Sequence, residues 1–206
     1  MMKTNYNVLM KDIIAKIEEG RVPSILLHSC CGPCSTEVIA RLTKYFDITI
    51  LYYNPNIEPK AEYEKRKQEQ IRFINEFKPI NKLEYMDCDY DNDAFLKMAQ
   101  GLETEPEGGT RCHRCYELRL MKTAQLGKEN NFDYFGTTLT VSPYKNSEVI
   151  NQLGENIANK LGIKYLYSDF KKEDGYKKSI EYSKQYKLYR QNFCGCHFSR
   201  VIGIEE

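Results

Sequence analysis

The sequence predicts a three-layer α/β fold with a mostly parallel sheet. Two observations predict it. Short apolar runs alternate with longer segments of helical periodicity along the whole chain, and this alternation is typical of parallel βαβ units. The chain also shows no internal repeat, low-complexity tract or linker, so we expect residues 1–206 to form a single domain.

The individual elements follow from local composition. Residues 1–20 read as an amphipathic helix with acids among its apolar positions, and not as a signal peptide. Strands are predicted where apolar, β-branched and aromatic residues concentrate, at 24–29, 46–54, 82–88, 132–138 and 163–168. Helices are predicted at 33–45, 59–77, 91–100, 111–130, 146–161 and 175–190.

Composition narrows the class of protein. Hydrophobic residues make up 41% of the chain and charged residues 29%, which is ordinary for a soluble protein. No run of 18 or more apolar residues exists, so we expect no membrane span and a cytoplasmic location. The net charge of +1 gives no global indication of nucleic-acid binding, so any such indication must be local.

Seven of the eight cysteines fall into three tight clusters: Cys30-Cys31-x-x-Cys34, Cys112-x-x-Cys115 and Cys194-Gly195-Cys196. In a reducing compartment, clustered thiols indicate metal or redox chemistry and not structural disulfides. A [4Fe–4S] cluster or a structural zinc ion takes four ligands. The surplus over four therefore suggests either a second metal or a redox-active dithiol.

Simpler interpretations explain only part of this pattern. Zinc accounts for four cysteines and leaves three unexplained. A thioredoxin-like site fits Cys31-Gly-Pro-Cys34 but does not predict the other two clusters. The chain also lacks a Gly-rich phosphate loop. The eighth cysteine, Cys88, stands alone, which is more typical of an inert buried residue.

The predicted layout places the candidate residues at one edge of the sheet, because sites in open parallel sheets form beyond the carboxyl ends of the strands. The segments that follow the five predicted strands are 30–34, 53–56, 88–89, 140–145 and 168–171. The remaining cysteine clusters lie outside the strands, and we expect them to fold over this edge. His28, at the end of the first strand, is more typical of a satisfied structural residue than of a ligand.

Asp89 and Asp169 each follow a predicted strand. They are candidate proton donors or oxygen ligands, and the plainer interpretation is that they cap the next helices. Tyr53 and Lys145 are further candidates for proton donation.

Positive charge concentrates near the C-terminus. Residues 171–190 hold seven lysines or arginines against three acids, interleaved with four tyrosines. Basic and aromatic side chains together suit RNA phosphates and unstacked bases, although a solvated helix face is the common alternative. The run leads directly to Cys194, which favours a role in bringing a polyanion to the thiols.

Six strings, in order from about residue 23 to residue 200, together resemble one family, the cysteine-rich epoxyqueuosine reductases of the QueH type. They are HSCCGPCS (28–35), YNPNI (53–57), EPEGGTRCHRC (105–115), TTLTVSPYK (137–145), DFKK (169–172) and LYRQNFCGC (188–196). Each string is modest by itself, and the set is specific.

This resemblance implies an α/β/α fold akin to HUP-like domains, and reduction of epoxyqueuosine to queuosine at the tRNA wobble position. Carried over by position, it implies that Cys30, Cys31, Cys112 and Cys115 hold a [4Fe–4S] cluster. Cys194 and Cys196 would form a redox-active pair, or would join Cys34 around a neighbouring iron. The partners would be tRNA carrying epoxyqueuosine, contacted by Tyr189 and Arg190, and an electron donor that the sequence does not identify.

Two other functions remain open from the sequence. The chain would be a zinc-binding module that contacts RNA through its basic helix, or a cluster-dependent tRNA thiolase of related fold.

Overall fold

A computed structural model describes residues 4–199. Its centre is a five-stranded sheet in the order β3-β2-β1-β4-β5, in which every neighbouring pair is parallel. The strands are β1 (Ser24–His28), β2 (Asp47–Leu51), β3 (Leu83–Met86), β4 (Tyr134–Thr137) and β5 (Lys164–Tyr165). The predicted fold class is therefore confirmed.

Seven helices lie among the described residues. They are α1 (Tyr6–Ala15), α2 (Gly32–Leu42), α3 (Lys60–Glu76), α4 (Asn92–Ala99), α5 (Thr110–Glu129), α6 (Ser147–Leu161) and α7 (Gly175–Gln185). Short 3-10 turns follow at Leu139–Val141 and His197–Ser199. None of the described helices is both long enough and apolar enough to cross a membrane.

The helices cover both faces of the sheet. Ile25 and Leu27 of β1 pack in one apolar cluster with α1, α2 and α3. Leu26, between them, points to the opposite face, where α5 packs against β1 and β4. Since side chains along a strand alternate between faces, this one strand contributes to two apolar layers.

The strand order reverses direction between β1 and β4. From β1 the chain moves outward to β2 and β3, then returns to the other side of β1 as β4. The carboxyl ends of β1 and β4 flank this reversal, and ligand sites in open α/β sheets form at such a point. Cys30 and Cys31 directly follow β1 and therefore lie at this crevice.

Several element boundaries differ from prediction. The last predicted helix, 175–190, ends at Gln185, because Lys187 has a φ of 50° and Leu188 donates its N–H to the carbonyl of Ser183. This hydrogen bond closes a helix end. The strand predicted at 163–168 pairs only through Lys164 and Tyr165.

The fifth strand is short because its continuation bonds to a helix. Ser168 donates its N–H to Asn151 Oδ1 at 2.9 Å, and Asn151 Nδ2 donates to the Ser168 carbonyl at 2.8 Å. The sequence predicts a single domain over residues 1–206, with a basic segment that reaches residue 200. Residues 1–3 and 200–206 lie outside the described residues, so for them this stays a prediction.

Candidate metal and redox site

The carboxyl end of β1 is held by the buried His28. Its Nδ1 lies 3.0 Å from Thr137 Oγ1 in β4, and its Nε2 lies 3.1 Å from the Tyr53 carbonyl. Because a carbonyl only accepts, Nε2 carries the proton, and Nδ1 accepts from the threonine hydroxyl. Burial lowers the pKa of His28 to about 3, so the ring is neutral. It joins β1 to β4 and to the segment that follows β2, which is the structural role that the sequence favours.

The turn after β1 is tied to its neighbours by side-chain amides. Asn54 Nδ2 donates to the Ser29 carbonyl at 2.8 Å, and Ser29 Oγ donates to Gln70 Oε1 at 2.6 Å. Cys31 then serves as the N-cap of α2. The turn therefore enters the helix from a fixed position, and its thiols lie at a helix N-terminus, where the peptide dipoles favour negative charge.

The first cysteine cluster is compact. The Sγ atoms of Cys30, Cys31 and Cys34 all lie within 4.8 Å of one another, and Cys30 Sγ is 3.9 Å from Cys31 Sγ. Hydrogen bonds from the other two thiols lower the pKa of Cys30, and the pKa of Cys34 is correspondingly raised. Ionisation of one thiol thus makes ionisation of its neighbours less favourable. A bound metal ion would offset the repulsion among three thiolates. This cluster can bind a metal.

The second cluster begins α5. Cys112 Sγ accepts the Gly108 N–H at 3.2 Å. Cys115 is buried and packs with Phe95 and Cys196, and burial raises its pKa to about 12. Within residues 4–199, only the first cluster has its ligand atoms close enough to surround a single ion. A four-iron cluster would spread its ligands further apart than one ion does.

The third cluster folds over the segment after β2, as the sequence predicts. Arg66 of α3 donates from Nη1 to the Cys194 carbonyl at 3.0 Å, and the Gly195 carbonyl accepts the Glu58 N–H at 2.9 Å. Gly195 has a φ of +127°, and a Cβ there would come within 2.9 Å of Ile57 Cγ1. Glycine is therefore required between the two cysteines.

A cavity of about 850 Å³ connects the first and third cysteine clusters. Cys30 and Cys34 line it from the first cluster and Cys194 from the third. Four cationic side chains also line the cavity: Arg66, Arg119, Lys145 and Arg190. Glu107 is the one acidic residue among the described residues that line it. The volume lies in the range of small-ligand pockets, and the charge favours an anionic ligand.

Two of the cations lie close to the thiols. Arg119 is 1% exposed, donates from Nε to the Cys115 carbonyl at 3.2 Å, and leaves Nη2 without a hydrogen-bond partner among the described residues. Burial works to lower the pKa of Lys145, but electrostatic interaction with Cys194 and Cys30 raises it overall. A buried, unpaired guanidinium nitrogen is costly, so a water or an anion in the cavity would complete its hydrogen bonding.

Sequence reasoning missed Arg66 and Arg119. Arg119 had a usable signal, since it lies one turn beyond Cys115 and two turns beyond Cys112, and such spacings share a helix face. Arg66 had none, because α3 carries charges on most of its turns and only the packed structure shows which one is buried.

The two predicted catalytic aspartates lie apart from the cavity. Asp89 is exposed, and the carboxylate of Asp169 is 2.9 Å from Lys171 Nζ. Neither is among the described residues that line the cavity, and their catalytic roles stay predictions. Lys171 also donates to the Thr140 carbonyl at 3.1 Å, so that part of the basic run supports the sheet edge.

The fold is similar to that of a solved tRNA-modifying enzyme. The U34-tRNA thiolase NcsA from Methanococcus maripaludis, solved with its [4Fe–4S] cluster, superposes with a TM-score of 0.55 over 95% of this chain and 67% of the thiolase. Sequence identity is 11%, so this likeness shows the fold alone.

Sequence comparison is more specific. The family described as Epoxyqueuosine reductase QueH matches residues 25–201. Relatives named Epoxyqueuosine reductase QueH include those of Staphylococcus epidermidis, 46% identical over 97% of this chain and 86% of the relative, and Streptococcus pyogenes, 44% identical over 98% and 81%. The Thermotoga maritima relative is 34% identical over 85% of this chain and 90% of its own length. The chain therefore belongs to the QueH family of epoxyqueuosine reductases.

Proposed function

We propose that this chain reduces epoxyqueuosine to queuosine at the wobble position of tRNA, the last step of queuosine biosynthesis. The observation that carries the proposal, beside family membership, is the shared cavity. It brings Cys30 and Cys34, which can bind a metal, together with Cys194 of the Cys-Gly-Cys segment. A metal site and one thiol of the proposed redox pair thus face one pocket large enough for a small ligand.

The reaction needs two electrons and two protons. Removing the oxygen of an epoxide leaves a carbon–carbon double bond and releases the oxygen as water. If Cys194 and Cys196 supply the reducing equivalents, their two thiols become one disulfide and give up two electrons and two protons, which balances the step. An external electron donor then restores the dithiol.

The proposed cofactor is a [4Fe–4S] cluster held by Cys30, Cys31, Cys112 and Cys115. When bound, it supplies single electrons. Cys34, Cys194 and Cys196 either hold an additional mononuclear iron beside it or leave the last two as the dithiol. The positive charge of Arg119 and Lys145 supports an anionic centre here, since four thiolates leave an iron–sulfur cluster negative and the cations offset that charge.

The proton donor is proposed from position. The sequence offers four candidates, Asp89, Asp169, Tyr53 and Lys145. Of these, Lys145 lines the cavity, near Cys30 and Cys194. A group that hands a proton to the departing oxygen must lie within hydrogen-bond reach of it. Position therefore favours Lys145 over the two aspartates, whereas the raised pKa of its ammonium makes it a weak acid.

The proposed partner is tRNA that carries epoxyqueuosine in its anticodon loop. Tyr176 of α7 and Arg190 line the cavity, and the Arg190 guanidinium lies 5.4 Å from the centre of the Tyr176 ring. Among the seven basic residues of 171–190, Arg190 is the one that lines the cavity, and it supports a contact between this end of the segment and the RNA. The electron donor and the cytoplasmic location stay predictions from the sequence.

The decisive experiment is anaerobic reconstitution with iron and sulfide, followed by incubation with epoxyqueuosine-tRNA and an artificial reductant. We expect a brown protein and queuosine in the digested tRNA. A colourless protein that binds zinc would favour the RNA-binding module, and sulfur in the product with a requirement for ATP would favour a thiolase. An intact cluster without queuosine formation would contradict the proposal.

The role of Cys194 has a separate test. Cys194→Ser should retain the fold and lose turnover, because both readings of the third cluster use this thiol. Turnover equal to that of the wild type, with the cluster retained, would exclude both readings for this residue.

A further inference from the structure

The rim of the cavity presents one highly exposed aromatic ring. Tyr144 lines the cavity and is 81% exposed, more than any other large hydrophobic side chain among the described residues. Isolated exposed side chains are common on protein surfaces. Tyr144 differs because its exposure coincides with the mouth of the only cavity described above, beside the cationic Lys145.

The backbone under Tyr144 is well ordered by hydrogen bonds. Ser142 donates its N–H to the Leu139 carbonyl at 3.3 Å, and Ser142 Oγ accepts the Tyr144 N–H at 3.3 Å. The Ser142 carbonyl accepts the Lys145 N–H at 3.3 Å, and Asn146 then caps α6. The ring therefore projects from a hydrogen-bonded turn and not from a loop without internal bonds.

Charge around the ring suits RNA. Lys145 follows Tyr144 directly, and Arg190 lines the same cavity. Lysine and arginine contact phosphates, while an exposed aromatic face accepts any unstacked base. The combination of a cationic pocket and an exposed ring at its entrance is the arrangement by which proteins hold single-stranded RNA.

We propose that Tyr144 stacks on an unmodified anticodon-loop base adjacent to the modified nucleotide while the modified nucleotide enters the cavity. This inference rests on the proposed function and names a recognition residue for the same site. A ring that is 81% exposed remains accessible to a base outside the pocket, whereas the thiols lie within it. Tyr144 is thus a binding contact outside the pocket and not a group that touches the reacting atoms.

The first test measures binding of an epoxyqueuosine-containing anticodon stem-loop to reconstituted protein. A base–aromatic contact is worth about 1–3 kcal/mol by alanine substitution, so Tyr144→Ala should raise Kd about 5- to 150-fold. KM should rise in parallel while kcat at saturating RNA stays close to that of the wild type. Tyr144→Phe keeps the ring and should bind like the wild type.

A matched control is Tyr45→Ala, which removes a 40% exposed tyrosine near the C-terminal end of α2. This end of the helix lies opposite the strand ends that carry the site, so Kd should not change. An unchanged Kd in Tyr144→Ala, or a lower kcat with unchanged Kd, would overturn the stacking contact.

The second test locates the base. Stem-loops that lack the base on one or the other side of the modified nucleotide are prepared. Their binding to the wild-type protein and to Tyr144→Ala is measured in a double-mutant cycle. One abasic position should weaken binding to the wild type and cost nothing further in the variant. Additive losses at both positions would overturn the proposal. Wild-type protein that binds the stem-loop without reducing epoxyqueuosine would contradict the proposed function and leave the stacking result standing.

Discussion

The first and third cysteine clusters meet at one cavity, but different interactions hold them there. Cys30 and Cys31 follow β1 directly, at the centre of the five-stranded sheet, and Cys31 begins α2. Cys194 and Cys196 belong to an irregular arm, residues 186–196, which has no regular secondary structure. The arm stays in place through contacts with another element.

That element is α3, which binds the arm along one face. Arg72 donates to the carbonyls of Tyr186 and Lys187, at 3.0 and 3.2 Å. Glu69 accepts the Tyr189 N–H at 2.7 Å, and Arg66 binds the Cys194 carbonyl. These side chains recur every three residues on α3, so they share a helix face. Each of these hydrogen bonds involves a charged side chain and contributes about 1.5–3 kcal/mol.

The difference indicates a division of roles. Thiols fixed by the sheet and a helix end are suited to holding a metal at constant geometry, since moving them would disrupt the core. Thiols on an arm held by separate polar contacts can change their spacing at lower cost, which a dithiol needs when it forms and loses a disulfide. Three substitutions test this difference, in decreasing order of expected effect.

Replacing a sheet-supported thiol should have the largest effect. Cys30→Ser removes a proposed metal ligand. Substituting residues that only hydrogen-bond to a metal ligand already lowers activity by about 10- to 100-fold, so losing the ligand itself should lower it by more than about 100-fold. Iron content and visible absorbance after reconstitution should fall with it. Cys88→Ser, at a half-buried cysteine outside the three clusters, is the control. Full iron content and turnover in Cys30→Ser would refute the assignment.

Releasing the arm should have an intermediate effect. Arg66→Met removes the bond to the Cys194 carbonyl, and a hydrogen bond to a charged group contributes about 1.5–3 kcal/mol, or about 10- to 150-fold in turnover. Iron held by the first two clusters should be retained, and Cys194 should react faster with an alkylating reagent.

Thermal unfolding of Arg66→Met checks that the variant is folded, and Arg66→Lys should recover part of the activity. Arg21→Met removes a half-exposed surface ion pair with Asp133 and serves as the control. If Arg66→Met keeps wild-type turnover and alkylation rate, α3 does not position Cys194.

The smallest effect is expected for Tyr189→Phe. The Tyr189 hydroxyl lies 3.2 and 3.3 Å from the two carboxylate oxygens of Glu62. Glu62 keeps its ion pair with Arg66 in this variant, so losing the bond should lower the free energy of unfolding by about 1.5 kcal/mol, the low end for a hydrogen bond to a charged group. Lys65 Nζ lies 3.5 Å from the centre of the Tyr189 ring, a contact that phenylalanine keeps. Denaturant unfolding measures the decrease in the free energy of unfolding. A larger decrease for Tyr189→Phe than for Arg66→Met would contradict the proposed order.

The sequence predicted much of the fold because apolar periodicity reports burial directly. The runs at 24–29 and 46–54 contain β1 and β2, and the first places Cys30 at the end of a central strand. Boundaries were less well predicted where hydrogen bonds to other elements decide them. The helix predicted to reach residue 190 stops at Gln185, since Leu188 bonds back to Ser183.

The site was predicted in part. Chelating spacings identified the cysteines, because short spacing alone lets two thiols reach one ion. The aspartates chosen as proton donors illustrate the limit. Position after a strand places a residue at an edge of the sheet but does not determine which side chains it contacts. Asp169 pairs with Lys171, and its catalytic role stays a prediction.

By itself the sequence determined the α/β fold, the cysteine clusters and the family resemblance, because each depends on the order and spacing of residues along the chain. Only the tertiary structure decided that Arg66 and Arg119 are buried and face the thiols, and that α3 supports the arm. Both depend on contacts between residues far apart in sequence, such as Arg66 with Cys194. Packing of the whole chain selects these contacts, and no local pattern encodes them.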